Sequence, residues 1–442
     1  MAIVADGLHF AAMNATDALP LPTLLAGAFA TLLLAGLALK FWLATRQIRH
    51  VAHHRSAVPT AFARQVSLQA HQKAADYTLA QMQLSLTELA CGAAVTIAWT
   101  LLGGLNALNQ LLLGWMQPGL AQQVALLVIF AIIGFVLDLP FTLYRTFVLE
   151  QRFGFNKTTS VLWLQDLAKS VLLGALLGLP LACLVIWMMG ATGAYWWLWT
   201  WCVWMAFNIL MLLIYPAWIA PWFNQFKPLE DASLAQRVSQ LMQRCGFTSK
   251  GFYVMDGSRR SAHANAYFTG FGKSKRVVFY DTLLAQLSAD EVDAVLAHEL
   301  GHFHHRHIAK RIVSVFALSL VGFALLGWLG QQVWFYTGLG VMPSATHAND
   351  ALALLLFGLA LPVAGTFWSP LFAQLSRKHE FEADAYAMEH TRGEDLASAL
   401  LKLYKDNAST LTPDPVYARF YYSHPPATER LGRMLPSLSR SA

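Results

Sequence analysis

Charge is what this sequence has least of. Only 13% of its 442 residues are Asp, Glu, Lys or Arg, about half the share of an ordinary soluble domain. Hydrophobic residues make up 56%. A mean hydropathy of +0.44 over the whole length does not fit inside one water-soluble core, because a globule's surface demands polar residues. A disordered chain, a collagen-like fibre and an ordinary cytosolic enzyme are excluded, which leaves an integral membrane protein. Cysteine is also scarce. Cys91, Cys183, Cys202 and Cys245 lie far apart, at no metal-ligand spacing and in no dense disulfide pattern. Three of them sit in or beside apolar runs, as small buried hydrophobes do. The net charge of +6 comes with no DNA- or RNA-binding motif. Cytoplasm-facing Lys and Arg account for it, and no nucleic-acid partner is expected.

Lys and Arg are absent from residues 1–20, so the first apolar run lacks the basic flank of a cleavable signal peptide and is read as a span. Seven apolar stretches approach the roughly 20 residues that cross a bilayer: about 22–44, 86–108, 122–144, 170–190, 194–215, 311–337 and 351–373. The connections near 1–21, 109–121, 191–193 and 338–350 hold no Lys or Arg, whereas the alternate ones carry Arg46, Arg49, Arg55, Arg64, Lys73, Arg145, Arg152 and Lys157. The positive-inside rule therefore puts the N-terminus outside and the C-terminus in the cytoplasm. Short outward loops and Ala/Leu-rich spans favour a bacterial inner membrane over an endoplasmic reticulum membrane.

Two polar segments, about 222–310 and 374–442, fall on the cytoplasmic side. The chain is accordingly read as a membrane domain over 1–221 with five transmembrane helices, and a second domain over 222–442 that includes the last two. Lys275–Tyr280, β-branched and aromatic, reads as a strand after the turn-like Gly270–Lys273. A helix begins near Ser288, where Ser288 and Glu291 form a capping box. Its pattern runs on without Gly-Pro punctuation into the sixth span, which predicts one long helix.

That helix carries His298-Glu299-Leu300-Gly301-His302. Residues i and i+4 share a helix face, so two imidazoles there can converge on one Zn²⁺ while Glu299 acts on a water as general base. By chance such a motif arises in a chain of this composition on the order of once in a hundred. A catalytic zinc needs a third protein ligand. The segment Ser376-Arg-Lys-His-Glu380-Phe-Glu-Ala-Asp384 offers Glu380, with His379 and Glu382 as rivals. His304, His305 and His307 read as interfacial histidines without a ligand role.

Motifs across nearly the whole chain resemble the type I CAAX prenyl endopeptidases, membrane zinc proteases that trim the last three residues of prenylated proteins. They are Phe153-Gly-Phe-Asn-Lys-Thr-Thr159 with Asp166 and Lys169, Ile214-Tyr-Pro216, Pro221-Trp-Phe-Asn224, Ala264-Asn-Ala-Tyr-Phe268, His298–His302, the Glu380–Asp384 segment, Ser423-His-Pro-Pro426 and Glu429-Arg430. The resemblance implies a mainly α, polytopic fold: seven transmembrane helices enclosing a chamber, with a cytoplasmic zincin-like catalytic domain that carries a small β-sheet. It also implies one zinc per chain held by His298, His302 and Glu380, and Glu299 as base. Asp384 would orient a ligating imidazole, His424 would stabilise the oxyanion with Arg430 in support, and Asn265 would hold extended substrate. The implied partners are the bilayer and the C-terminal peptide of a prenylated or membrane-associated substrate. A broad quality-control membrane protease is the rival within enzymes. A non-catalytic scaffold or transporter is the rival outside them, although a vestigial site would be expected to have lost one of these four residues.

Overall fold

The structure is a computed structural model that describes residues 20–269 and 274–434; the turn expected at Gly270–Lys273 lies outside them. Five helices are long and apolar enough to cross a membrane: Leu21–His53, Leu120–Glu150, Ser160–Ala191, Gly193–Phe223 and His307–Leu329. Two bent pairs raise the number to seven, Leu68–Trp99 with Gly104–Trp115 at 52° and Asp350–Gly365 with Ser369–His390 at 64°. The protein is thus an integral, multi-pass membrane protein.

The bends are where the continuous apolar stretches misread the chain. The second stretch crosses a turn at Thr100–Gly103, where Gly103 has φ 74°. Gly340 packs against that turn so closely that a Cβ on it would lie 2.1 Å from the Thr100 carbonyl oxygen. The sixth stretch runs past Leu329 into a separate short helix, Val333–Gly338. The seventh breaks at Thr366–Trp368, just before Pro370 in the first turn of the next helix. Apolarity marks what enters the membrane, but backbone chemistry decides where a span bends.

A solid seven-helix bundle buries an apolar stripe on each member. Here no more than 11% of each of the five spanning windows is buried. Most of the residues on these spans are therefore left uncovered by other protein atoms. The helices meet chiefly in an apolar cluster that includes Leu105, Leu126, Ile186, Leu326, Leu339 and Leu352, at the end bearing the connection near residue 340. A cavity of about 530 Å³ opens among the first, second and last spans, with Lys40 and Glu88 in its wall. Charged groups at membrane depth are expected only beside such wet spaces.

The polar half holds a four-stranded mixed sheet in the order β1-β2-β4-β3: Phe226–Pro228 (β1), Thr248–Met255 (β2), Ala266–Thr269 (β3) and Ser274–Tyr280 (β4). β2 and β4 are parallel, and β1 and β3 pair antiparallel on either side. The strand expected at Lys275–Tyr280 is β4. Val277 and Phe279 point from it into a core shared with Val292, Leu296 and Leu300 of the motif helix and with Leu241 and Leu400. Phe62 and Val66, from the connection between the first two spans, are buried in that same core.

The motif Phe153–Thr159 docks the halves together. Asn156 bridges to Ser261, and the Arg260 carbonyl accepts from Lys157 N at 3.1 Å and Thr158 Oγ1 at 3.2 Å. The Arg260 guanidinium donates to both Asp166 oxygens at 2.8 and 3.0 Å and to Asn224 Oδ1 at 3.0 Å. A second clamp joins Arg46 to Asp414 at 2.9 and 3.2 Å. Asp414 in turn caps the helix Pro415–Tyr421.

One expectation fails outright. The motif helix and the sixth span are two helices, Ala289–His304 and His307–Leu329. Arg306 breaks them by taking a left-handed conformation, φ 57°, with its N–H bonded to the Phe303 carbonyl. Left-handed backbone costs an L side chain about 1–2 kcal/mol, and neither Gly nor Asn stands there to signal it. Arg306→Gly should therefore leave the thermal unfolding midpoint in detergent unchanged or raised, whereas β-branched Arg306→Val should cost roughly 1–2 kcal/mol. An equal loss in both variants would mean that the guanidinium, not the backbone, matters at this position.

Candidate active site

The motif helix starts at its expected capping box. Ser288 Oγ accepts from Glu291 N, and Glu291 Oε2 accepts from Ser288 N at 2.7 Å. Glu291 is anchored further by Ser398 and Lys402, both at 2.7 Å. This fixes where the helix begins, and with it the face that His298 and His302 present.

The opposing wall is the helix Ser369–His390. Gly301, between the two histidines, lets it come close. A Cβ there would stand 3.0 Å from Ala383 Cα and 3.1 Å from Tyr386 Cβ, tighter than nearly all real Cβ contacts, so one helix would have to give by a few tenths of an ångström. At that approach Glu380 Oε2 lies 3.5 Å from His298 Nε2, Glu380 Oε1 lies 3.4 Å from His302 Nε2, and the two Nε2 atoms are 3.3 Å apart. Tetrahedral ligands each 2.0–2.1 Å from zinc are separated by about 3.3–3.4 Å, which is the distance between the two imidazole nitrogens, and one ligand atom from each of the three residues lies within 4.8 Å of the others. Glu380 Oε2 is buried and has no hydrogen-bond donor among the described residues. The donor set therefore fits a bound zinc.

Of the rivals for the third position, Glu380 is the one that joins His298 and His302. Glu382 and His379 belong to a separate group with His307. Glu299 is half-buried.

Behind His298, Asp384 Oδ1 sits 2.9 Å from Nδ1. Arg430 grips Asp384 with Nε at 2.9 Å from Oδ2 and Nη2 at 2.5 Å from Oδ1. All three residues are buried. Burial resists a charge on His298, but the Asp384 and Glu380 carboxylates beside it outweigh that and push the imidazole up to about 9. His424 reaches the group from the other side, Nε2 3.3 Å from Glu380 Oε1, with Ser423 Oγ 3.0 Å from its Nδ1. His424, Arg430, Asp384, Glu380 and His298 thus come together from segments well separated in sequence.

Asn265 stands exposed at the head of β3, where Tyr280 N donates to its carbonyl at 3.0 Å and its Oδ1 accepts from Ala266 N at 2.8 Å. Among the described residues no hydrogen bond joins it to the His–Glu group. The sequence reading missed His307. It is buried, not interfacial, and lies 3.0 Å from His302 and 2.8 Å from Glu382. No spacing rule links residues five apart on a helix, so only knowledge of the break at Arg306 could have found it.

Residues 47–225 match the model of the CAAX prenyl protease N-terminal region with five membrane helices, and residues 228–435 match that of peptidase family M48. The CAAX prenyl protease 1 homolog of Arabidopsis thaliana is 37% identical over 67% of this chain and 69% of that protein. CAAX prenyl protease 1 of Saccharomyces cerevisiae is 36% identical over 72% of each. The crystal structure of S. mikatae Ste24p superposes with a TM-score of 0.86 at 29% identity, covering 94% of this chain and 99% of that one. The chain belongs to the CAAX prenyl protease 1 family of M48 peptidases and is a membrane metalloendopeptidase.

Proposed function

We propose that the metal is zinc, one per chain, held by His298, His302 and Glu380, and that the enzyme cuts a peptide bond near the C-terminus of a prenylated, CAAX-type substrate. The observation that carries the metal reading is the convergence of two imidazole Nε2 atoms, 3.3 Å apart, on one carboxylate that brings an oxygen within 3.5 Å of each. Bound there, zinc would supply Lewis-acid polarisation of the scissile carbonyl and make water acidic enough to lose a proton near neutral pH. Glu299 takes that proton and later returns it to the leaving amine. His424 donates from Nε2 to the oxygen on which charge develops. Asp384 holds the His298 ring by accepting its Nδ1–H, and Arg430 holds Asp384.

The extended substrate peptide lies along the edge strand β3 by strand addition, with Asn265 at its head. Its lipid chain stays among the apolar helices. The basic loops support a cytoplasmic site with the N-terminus outside. Short outward loops and Ala/Leu-rich spans support a bacterial inner membrane, while the relatives named above are eukaryotic and support the endoplasmic reticulum. A division into a membrane domain over 1–221 and a peptidase domain over 222–442 is supported by the family matches, which end at 225 and begin at 228.

The deciding experiment offers the purified protein a farnesylated peptide ending in a CAAX sequence and its unprenylated twin. Cleavage before the last three residues with preference for the farnesylated peptide is the expected result. Equal cleavage of both, or cuts elsewhere, would replace CAAX processing with a broad quality-control role. Glu299→Ala should cut turnover by about 10²–10⁴-fold while zinc content, read by mass spectrometry, stays at one per chain. Wild-type turnover in that variant would remove Glu299 from the mechanism. Because His298 holds a proton up to about pH 9, a metal entering the site must displace it. Below that pH the protonated form competes, so apparent zinc affinity should rise about tenfold per pH unit between roughly pH 7 and pH 9 and level off above, with about one proton released per metal below the plateau. Calorimetry in buffers of different ionisation enthalpy measures that release, and a flat pH profile would show that Asp384 and Glu380 do not hold the proton on His298.

A further inference from the structure

His307, His379 and Glu382 form a second set of donor atoms within 4.8 Å of one another. This set touches the first directly. His302 Nδ1 lies 3.0 Å from His307 Nδ1, and His307 Nε2 lies 2.8 Å from Glu382 Oε2. In an unbroken α-helix, residues five apart sit about 140° apart around the axis and about 7.5 Å along it, where their rings cannot meet. The left-handed turn at Arg306 is what brings these two imidazoles together.

Two readings of the cluster differ by one proton. His302 faces His298 and Glu380 through Nε2, so a metal there takes that lone pair and leaves the ring's proton on Nδ1. At 3.0 Å His307 Nδ1 must accept this proton's hydrogen bond. The single proton of neutral His307 then stands on Nε2, pointing at Glu382. A metal on His307 Nε2 would need the lone pair at that nitrogen and force the proton to Nδ1, setting two N–H groups head to head. The two groups therefore do not both hold metal in this arrangement.

Resting on the metal reading of the first group, we infer that His307 and Glu382 are positioning residues for His302 rather than a second metal site. His302 donates to His307, and His307 donates to Glu382. Each ligating imidazole then has a carboxylate behind it, Asp384 directly for His298 and Glu382 through one intervening ring for His302. His379 lies flat on His307, centroids 4.0 Å apart and planes 13° apart, which fixes the ring plane. Lys378 Nζ lies 3.7 Å from the other Glu382 oxygen.

The test uses the full-length protein in detergent, with zinc affinity read by competition against a chromophoric chelator and zinc content by mass spectrometry. Glu382 is part-exposed, so its variants keep the fold. Glu382→Leu and His307→Phe should weaken zinc binding by about 10–100-fold. Glu382→Gln, whose amide oxygen can still accept from His307, should remain close to wild type. All should bind one zinc at most. Unchanged affinity in Glu382→Leu would overturn the positioning role. Two zinc ions in the wild type, falling to one in Glu382→Gln, would overturn it in favour of a second metal site. A wild-type protein that binds no zinc would overturn the metal reading of the first group, and this inference with it.

Discussion

The site depends on how closely two helices can approach. Gly301 is a hydrogen where any other residue would put a methyl group into Ala383 and Tyr386. That contact brings Glu380, on the helix beyond the last span, to within 3.5 Å of two imidazoles on the motif helix. Interiors are close-packed and give little, so an added carbon would have to be absorbed by helix separation, and donor spacing would widen with it. The amphipathic pattern of the motif helix explains its burial against β4, but only the glycine explains why the carboxylate is near enough to share a cation.

Close approach alone would leave the rings free to swing. Polar groups hold them, and these come from the chain's far C-terminal part. Arg430 is buried beside Asp384 and His298, where an unpaired guanidinium would be costly. Its two bonds to Asp384 offset that cost and fix the carboxylate that holds His298. Arg377, equally buried, is met by Glu429 at 2.5 Å. The pair Glu429-Arg430 therefore ties the helix Ala427–Met434 to Ser369–His390 at two points, which sets where Ser423 and His424 stand.

Much of this was legible in the sequence, for identifiable reasons. A capping box and an i, i+4 histidine pair are local facts, and the motif helix begins at Ser288 as they require. Seven apolar runs announced the membrane half because no other composition survives in hydrocarbon. The third donor was not legible from spacing, since Glu380, His379 and Glu382 crowd one turn and only the fold of the opposing helix shows which faces His298. Arg306 was not legible either. A left-handed arginine carries no compositional mark, so a continuous pattern concealed a break, and the burial of His307 against His302 was hidden with it. The membrane-half motifs could be matched to a family before their purpose could be stated. Lys157, Thr158, Asp166 and Asn224 all converge on the backbone or side chain of Arg260, a residue that no spacing rule singles out.

That convergence explains how a loosely packed membrane half can present a fixed site. The spanning helices bury few of their side chains, so they contribute little packing of their own near the middle of the bilayer. Rigidity has to come from the ends. At one end an apolar cluster gathers the helices. At the other, Phe62 and Val66 insert into the peptidase core, Arg260 clamps Asp166 and Asn224, and Arg46 clamps Asp414 at the start of the helix that leads to His424. The same arrangement sets His298, His302 and Glu380 on two helices that each adjoin an apolar span.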